Sequence, residues 1–260
     1  MPFQFFGTSA AVPTAARDNT ALVFYSGEEA VLVDCSGSPY QKILKAGLDA
    51  MRVSSLIVTH RHVDHLYGIP SLAHNLGLAG RRATLHVYAL PQTMRVLRGF
   101  MDLFPLEDRM PYRVEQHEIP AKEGHAVLQA KGFRMLSTPV KHGAPNIALR
   151  AEFDLPGERG SVVYSSDTSP CPSLIALAGG ADILIHEATF LHGDAARAAA
   201  DGHTTGYQAG EVATRAGVKR LMLCHFDSGL HEELEELRRE AMQSFRGPVE
   251  LAGELQEYRL

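Results

Sequence analysis

The run Thr59-His60-Arg61-His62-Val63-Asp64-His65 packs three imidazoles and one carboxylate into six positions, His60 to His65. These side chains are the usual protein ligands of zinc and related divalent metals. A polar surface loop could carry the same residue types. So dense a set of ligands points to a metal site instead.

The neighbouring residues predict how the run is held. Val53, Leu56, Ile57 and Val58 form a short apolar run of the kind a buried strand shows. The polar cluster begins where that run ends. Leu66, Ile69, Leu72, Ala73 and Leu76 then recur at helical spacing, so a helix is expected to leave the loop. His60 and His62 can point to one side and serve one metal. Asp64 and His65 start the next element and can serve a second. A strand end and a helix start are rigid supports, as a catalytic metal site requires.

A second metal needs more ligands, and three other strand ends offer them. Val140-Lys141-His142-Gly143 follows an apolar strand. Val162-Val163-Tyr164-Ser165-Ser166-Asp167 runs from strand into an aspartate. Leu221-Met222-Leu223-Cys224-His225 runs from strand into a histidine. Asp34 follows Val31-Leu32-Val33 in the same way. Taken singly, a histidine at a strand end is more often a hydrogen-bonded structural residue. Together with His60 to His65, these residues favour one shared site.

Composition bounds the rest. The 260 residues are enough for one large domain, expected to span 1–260. Hydrophobic content of 45% and charged content of 21% are ordinary for a globular protein. A net charge of -5 is no general nucleic-acid footprint, though it leaves room for a local basic patch. No apolar stretch is long enough to span a membrane. Met1-Pro2-Phe3-Gln4-Phe5-Phe6 lacks the basic start and apolar centre of a signal peptide, so the cytoplasm is the expected location. Cys35, Cys171 and Cys224 are widely spaced and odd in number, which suits buried packing rather than disulfides.

Short strands are predicted at 3–6, 20–25 and 30–34, with a hairpin turn at Ser26-Gly27-Glu28-Glu29. A helix is expected over 40–46. Between Pro91 and Glu118 the pattern is ambiguous. Met94, Leu97, Met101 and Phe104 suit a helix, which Pro105 and Pro111 interrupt. This stretch could be a lid, a dimer surface or ordinary core packing, and packing is favoured. Further strands are expected near 126–129, 134–137, 147–153, 161–165, 183–186 and 220–223, with helices over 207–216 and 232–244. Strands first, then strands mixed with helices, predict an α/β (α+β) fold of sheets covered by helices.

The residues above resemble the metallo-β-lactamase superfamily of dinuclear hydrolases. Asp34, the His60-x-His62-x-Asp64-His65 run, His142, Asp167 and His225 match its five motifs in order. The similarity is closest to the ribonuclease Z-like branch. It rests on Phe6-Gly7-Thr8-Ser9-Ala10-Ala11-Val12-Pro13-Thr14, His186-Glu187-Ala188-Thr189-Phe190, Gly202-His203-Thr204-Thr205 and Leu223-Cys224-His225-Phe226. The resemblance implies a four-layer αββα fold with two mixed sheets between helices. It implies that His60, His62 and His142 hold one metal, that Asp64, His65 and His225 hold the other, and that Asp167 bridges them. Zn²⁺ suits these ligands, and Mn²⁺ or Fe²⁺ is tolerated. The pair would turn a bridging water into hydroxide near neutral pH and neutralise phosphodiester oxygens. A homodimer is a further implication.

Asp34 is expected to orient a ligand histidine, or only to cap its loop. His203, paired with Glu187, is the candidate proton donor to the leaving group. His186 is expected to be structural or to support a ligand. Thr205 and Gln208 have capping-box spacing. The helix they open, with Thr204 and Thr205 at its start, could bind a phosphate oxygen. His74, His86, His117, His125, His192 and His231 have no supporting context.

One departure from the branch matters. Its tRNA-processing members carry a long arm between the third and fourth motifs, whereas here a hairpin around Leu155-Pro156-Gly157 is all that fits between His142 and Asp167. The favoured reading is therefore a phosphodiesterase for small phosphodiesters or nucleotides. The alternatives are an armless ribonuclease Z-like RNA 3′-end endonuclease, an arylsulfatase or carboxylic-ester hydrolase, and an idle metal-binding interaction domain.

Overall fold

The computed structural model describes residues 2–27, 29–104, 106, 110–155 and 158–260, with the backbone only for Asp154, Leu155 and Glu158. In chain order the elements are β1 (Pro2–Gly7), β2 (Ala21–Ser26), β3 (Glu29–Val33), α1 (Pro39–Lys45), β4 (Val53–Val58), α2 (Ile69–Leu78), β5 (Leu85–Ala89), α3 (Pro91–Asp102), β6 (Val114–Glu118), β7 (His125–Ala130), β8 (Phe133–Val140), β9 (Asn146–Leu155), β10 (Glu158–Tyr164), α4 (Pro172–Ala178), β11 (Ile183–Glu187), α5 (Ala195–Asp201), α6 (Gly206–Ala216), β12 (Arg220–Cys224), α7 (Leu234–Ser244), β13 (Val249–Leu251) and β14 (Glu257–Arg259). The strands form two seven-stranded sheets, ordered β14-β1-β2-β3-β4-β5-β6 and β13-β12-β11-β10-β9-β8-β7. Each sheet is mixed. It is antiparallel at one end and becomes parallel from β3–β4 in the first and from β10–β11 in the second.

Strand alternation builds the layers. Val31, Val33 and Ile57 face the second sheet and meet Ile147, Val162, Tyr164, Ile185 and Met222 there. Leu32, Leu56 and Val58 face the other way, onto Ile43 of α1, Leu72 of α2 and Met94 of α3. Val163, Leu184, Leu221 and Leu223 pack likewise under Leu174 of α4, Val212 of α6 and Leu237 of α7. Strands buried on both faces read as continuous apolar runs, which is how they stood out in the sequence. Each such buried side chain contributes about 1.5–3 kcal/mol relative to exposure. The result is the four-layer αββα arrangement that the family resemblance implied.

Several elements were not foreseen. β6, Val-Glu-Gln-His-Glu, is an edge strand that among the described residues pairs with β5 alone, and it lacks an apolar alternation. α4 and α5 are seven residues each, too short for a periodic signal. α3 ends at Asp102, so Phe104, expected on that helix, lies beyond it and is 44% exposed. Met94 and Leu97 are core, as favoured. The cysteines are buried and unpaired. Ser26 and Glu29 face each other as the hairpin requires, but Glu28 lies outside the described residues, as do Pro156 and Gly157 of the second expected hairpin. β9 and β10 pair continuously from Leu155–Glu158 to Leu149–Tyr164, so these two residues are all that joins them. Among the described residues no helix is long and apolar enough to cross a membrane.

Candidate metal centre

The expected site residues sit at or just past the C-terminal end of a strand, or in the short turn that follows. Asp34 follows β3, and His60 lies two residues beyond β4. His142 follows β8, Asp167 follows β10, Glu187 ends β11 and His225 follows β12. These strands run the same way within each sheet, so their ends open onto one edge, the usual place for a site in such sheets. Asp64 and His65 lie in a 3-10 turn, Val63–His65, rather than in α2 itself. Asp34, Ser166 and His225 have φ of 61°, 52° and 59°. A left-handed residue costs about 1–2 kcal/mol, and such strain collects at functional sites. It takes the chain out of strand geometry where a ligand is presented.

The ligand atoms converge in two sets. His62 Nδ1 lies 3.0 Å from His60 Nε2 and 3.1 Å from His142 Nε2. His65 Nε2 lies 3.3 Å from Asp64 Oδ2. Asp167 Oδ2 stands between the sets, 3.7 Å from His60 Nε2, 3.3 Å from His65 Nε2 and 3.2 Å from His225 Nε2. Asp64, His65 and His225 likewise bring their ligand atoms together, as do His60, His62 and His142 with Asp167.

The hydrogen bonds behind the rings leave lone pairs in front. His65 Nδ1 donates to Asp34 at 2.8 Å. His142 Nδ1 donates to the Gly202 carbonyl at 2.9 Å. The Thr59 hydroxyl donates to Asp34, so it accepts from His60 Nδ1 at 3.1 Å. The Thr189 hydroxyl donates to Glu187, so it accepts from His225 Nδ1 at 2.9 Å. With Nδ1 engaged behind each of these rings, Nε2 is the atom turned to the centre. His65 Nε2, His225 Nε2 and Asp167 Oδ1 are buried without a hydrogen-bond partner. Facing lone pairs and orphaned buried polar atoms both fit a bound cation, which would satisfy them at once.

Protonation agrees. Burial, with His65 nearby, pushes His60 well below its ordinary value and keeps it neutral. Burial and His142 lower His62. Burial opposes charge on Asp64 and Asp167, but their imidazole neighbours outweigh it and hold both carboxylates below their usual range. His65 is the counterpart: burial lowers it, yet Asp167 and Asp34 raise it well above normal. A pocket this acidic takes up a positive charge, and a metal ion competes with that proton.

Glu187 and His203 pair as expected, with His203 Nδ1 2.8 Å from Glu187 Oε1. The His203 ring packs 5.0 Å from His142 and 5.4 Å from His225, centroid to centroid. Asp34 does more than cap a loop, since it binds both His65 and Thr59. His186 is fully buried but alternates with Glu187 along β11, and among the described residues its Nδ1 bonds to the Glu187 carbonyl alone. Thr205 and Gln208 form the expected capping box. A phosphate-binding role was expected of this helix start, where four amides are already engaged. The amides of Thr204, Thr205, Gly206 and Gln208 already bond to Glu187, Gln208, Phe190 and Thr205. The sequence reading missed Thr59, Thr189 and the Gly202 carbonyl as supports of ligand rings. Their only signal was adjacency to the motifs.

Residues 29–226 match the β-lactamase superfamily domain. A ribonuclease Z of Methanothermobacter thermautotrophicus is 31% identical over 291 positions, covering 94% of this chain and 92% of that protein. Among solved structures, the metallo-β-lactamase fold protein YhfI from Bacillus subtilis superimposes with a TM-score of 0.83 at 24% identity, over 99% of this chain and 98% of its own. The short form of human tRNase Z gives 0.79 at 23%, over 100% and 99%. A diphosphatase of the PhnP family gives 0.72 at 19%, over 100% and 97%. These three likenesses establish the fold, and the two sequence matches go further: the chain belongs to the metallo-β-lactamase superfamily, in its ribonuclease Z-like branch.

Proposed function

We propose that this chain is a metal-dependent phosphodiesterase. The observation that carries the reading is the pair of ligand sets meeting at Asp167 beside an imidazole that Glu187 keeps protonated. His60, His62 and His142 would hold one divalent ion and Asp64, His65 and His225 the other, with Asp167 shared. Imidazole and carboxylate donors suit Zn²⁺ first and accommodate Mn²⁺ or Fe²⁺. Bound there, the ions supply an activated water and neutralise phosphate oxygens.

The chain's own residues do the rest. Asp34, Gly202, Thr59 and Thr189 lock the rings behind the ligand atoms. Glu187 holds the proton on His203 Nδ1 and leaves Nε2 to donate to the departing oxygen. With burial opposing and Glu187 prevailing, His203 is raised to about 9, so it carries its proton at neutral pH.

Two substrate readings follow, and their order reverses that of the sequence analysis. The relatives' name favours cleavage at an RNA 3′ end, as a ribonuclease Z does. The β9–β10 hairpin favours a small phosphodiester, because only two residues join the strands where the branch inserts its RNA-gripping arm. The 291-position alignment is longer than this 260-residue chain, so that relative carries residues with no counterpart here.

The test is turnover of bis(p-nitrophenyl) phosphate by metal-loaded and chelator-stripped protein, followed by a 3′-extended tRNA precursor and a cyclic nucleotide. Metal-dependent turnover is expected, and the better of the two natural substrates decides the class. No turnover by fully loaded protein overturns the phosphodiesterase reading and returns weight to sulfate or carboxylic esters.

A further inference from the structure

We infer that the chain carries an additional metal site, for Zn²⁺, on the outer strands of the first sheet, built from His86, Glu115 and His117. These residues lie on β5 and β6, whose parallel register sets His86 beside Glu115 and Tyr88 beside His117. Leu85, Val87 and Ala89 turn toward the helices. The intervening residues of β5, and their partners on β6, therefore share the opposite face.

Three ligand atoms converge on that face. His86 Nδ1 lies 3.0 Å from His117 Nε2 and 3.5 Å from Glu115 Oε2. All three fall within 4.8 Å of one another. The Tyr88 ring stacks on the His117 imidazole at 4.5 Å and 17°, which restrains its plane. Imidazole nitrogens facing each other at 3.0–3.1 Å occur at two places among the described residues, the main centre and this one. The three side chains share no hydrogen bond or ring contact with the main centre among the described residues.

The donor set selects the ion. Two imidazoles and one carboxylate suit zinc and leave a fourth position for water. The His86 and Glu115 side chains are 36% and 45% exposed, so an ion can enter from solvent. The competing account is a single N–H···N hydrogen bond between the two rings.

Counting zinc separates the two. Wild-type and His117→Ala chains, each with the main centre filled, are equilibrated with micromolar free Zn²⁺ and assayed by atomic emission. One more ion per chain is expected in wild type than in the variant. Equal content overturns the inference. Glu115→Gln keeps both rings and the side-chain shape, and guards against a folding defect in His117→Ala. It should weaken uptake of the additional ion by about tenfold or more, and unchanged uptake overturns the assignment. The count reads metal alone, so it stands or falls independently of phosphodiester turnover.

Discussion

His203 Nδ1 lies 2.8 Å from Glu187 Oε1, and Glu187 is completely buried while the His203 side chain stays 16% exposed. The Glu187 carboxylate is fully used. Oε1 also accepts from the Thr168 amide at 2.7 Å, and Oε2 accepts from Thr189 Oγ1 and the Thr204 amide. Burial opposes its charge, but His203 outweighs burial and holds it below the usual carboxylate range. The pair is therefore an ionised carboxylate in the protein wall with a cationic imidazole at its mouth.

Activity should accordingly fall as pH rises through about 9, where His203 gives up its proton. His203→Ala should remove this alkaline limb and hurt substrates with poor leaving groups more than nitrophenyl esters. Glu187→Gln should move the limb to lower pH. Rate profiles on both substrate types check this, and equal losses on the two in His203→Ala would refute the acid role. The same pairing stabilises the fold. Because the folded value lies above the ordinary 6.5, its contribution is complete below that pH and fades through about 9.

Asp64→Ala should leave one metal ion bound and abolish turnover while the fold persists. The reason is that Asp64 lies in the 3-10 turn next to His65, outside all three apolar clusters. Metal content per chain and far-UV circular dichroism check it. Normal turnover would sink the mechanism.

Asp34→Asn should lower metal affinity by about 10–100-fold, because the fully buried carboxylate fixes both His65 and Thr59. Chelator competition measures the loss. An unchanged affinity would mean that the His65 ring is held by packing alone.

Thr205→Ala should cost about 1 kcal/mol by opening the capping box at the start of α6. Gly210→Ala in that helix should cost about 1–3 kcal/mol, since an added Cβ would stand 2.4 Å from the Ala241 carbonyl of α7. Urea unfolding midpoints test both, and a neutral Gly210→Ala would show that α6 and α7 can slide apart.

The residues that converge at the candidate site were readable from the residue order. Asp34, His60, His142, Asp167 and His225 each follow an apolar run, and a strand buried on both faces leaves just such a run. The capping box and the helix it opens were equally plain, because Thr205 and Gln208 are three positions apart and interact locally. Contacts across long separations were another matter. His62 meets His142 across 80 positions, and His142 meets the Gly202 carbonyl across 60. Sequence periodicity reports which face of an element is buried, but it does not report which strand lies beside which. Sheet order sets that, and so it placed Thr189 behind the His225 ring and Asp34 within reach of Thr59. It also put His86, Glu115 and His117 together, at an edge strand too polar to announce itself.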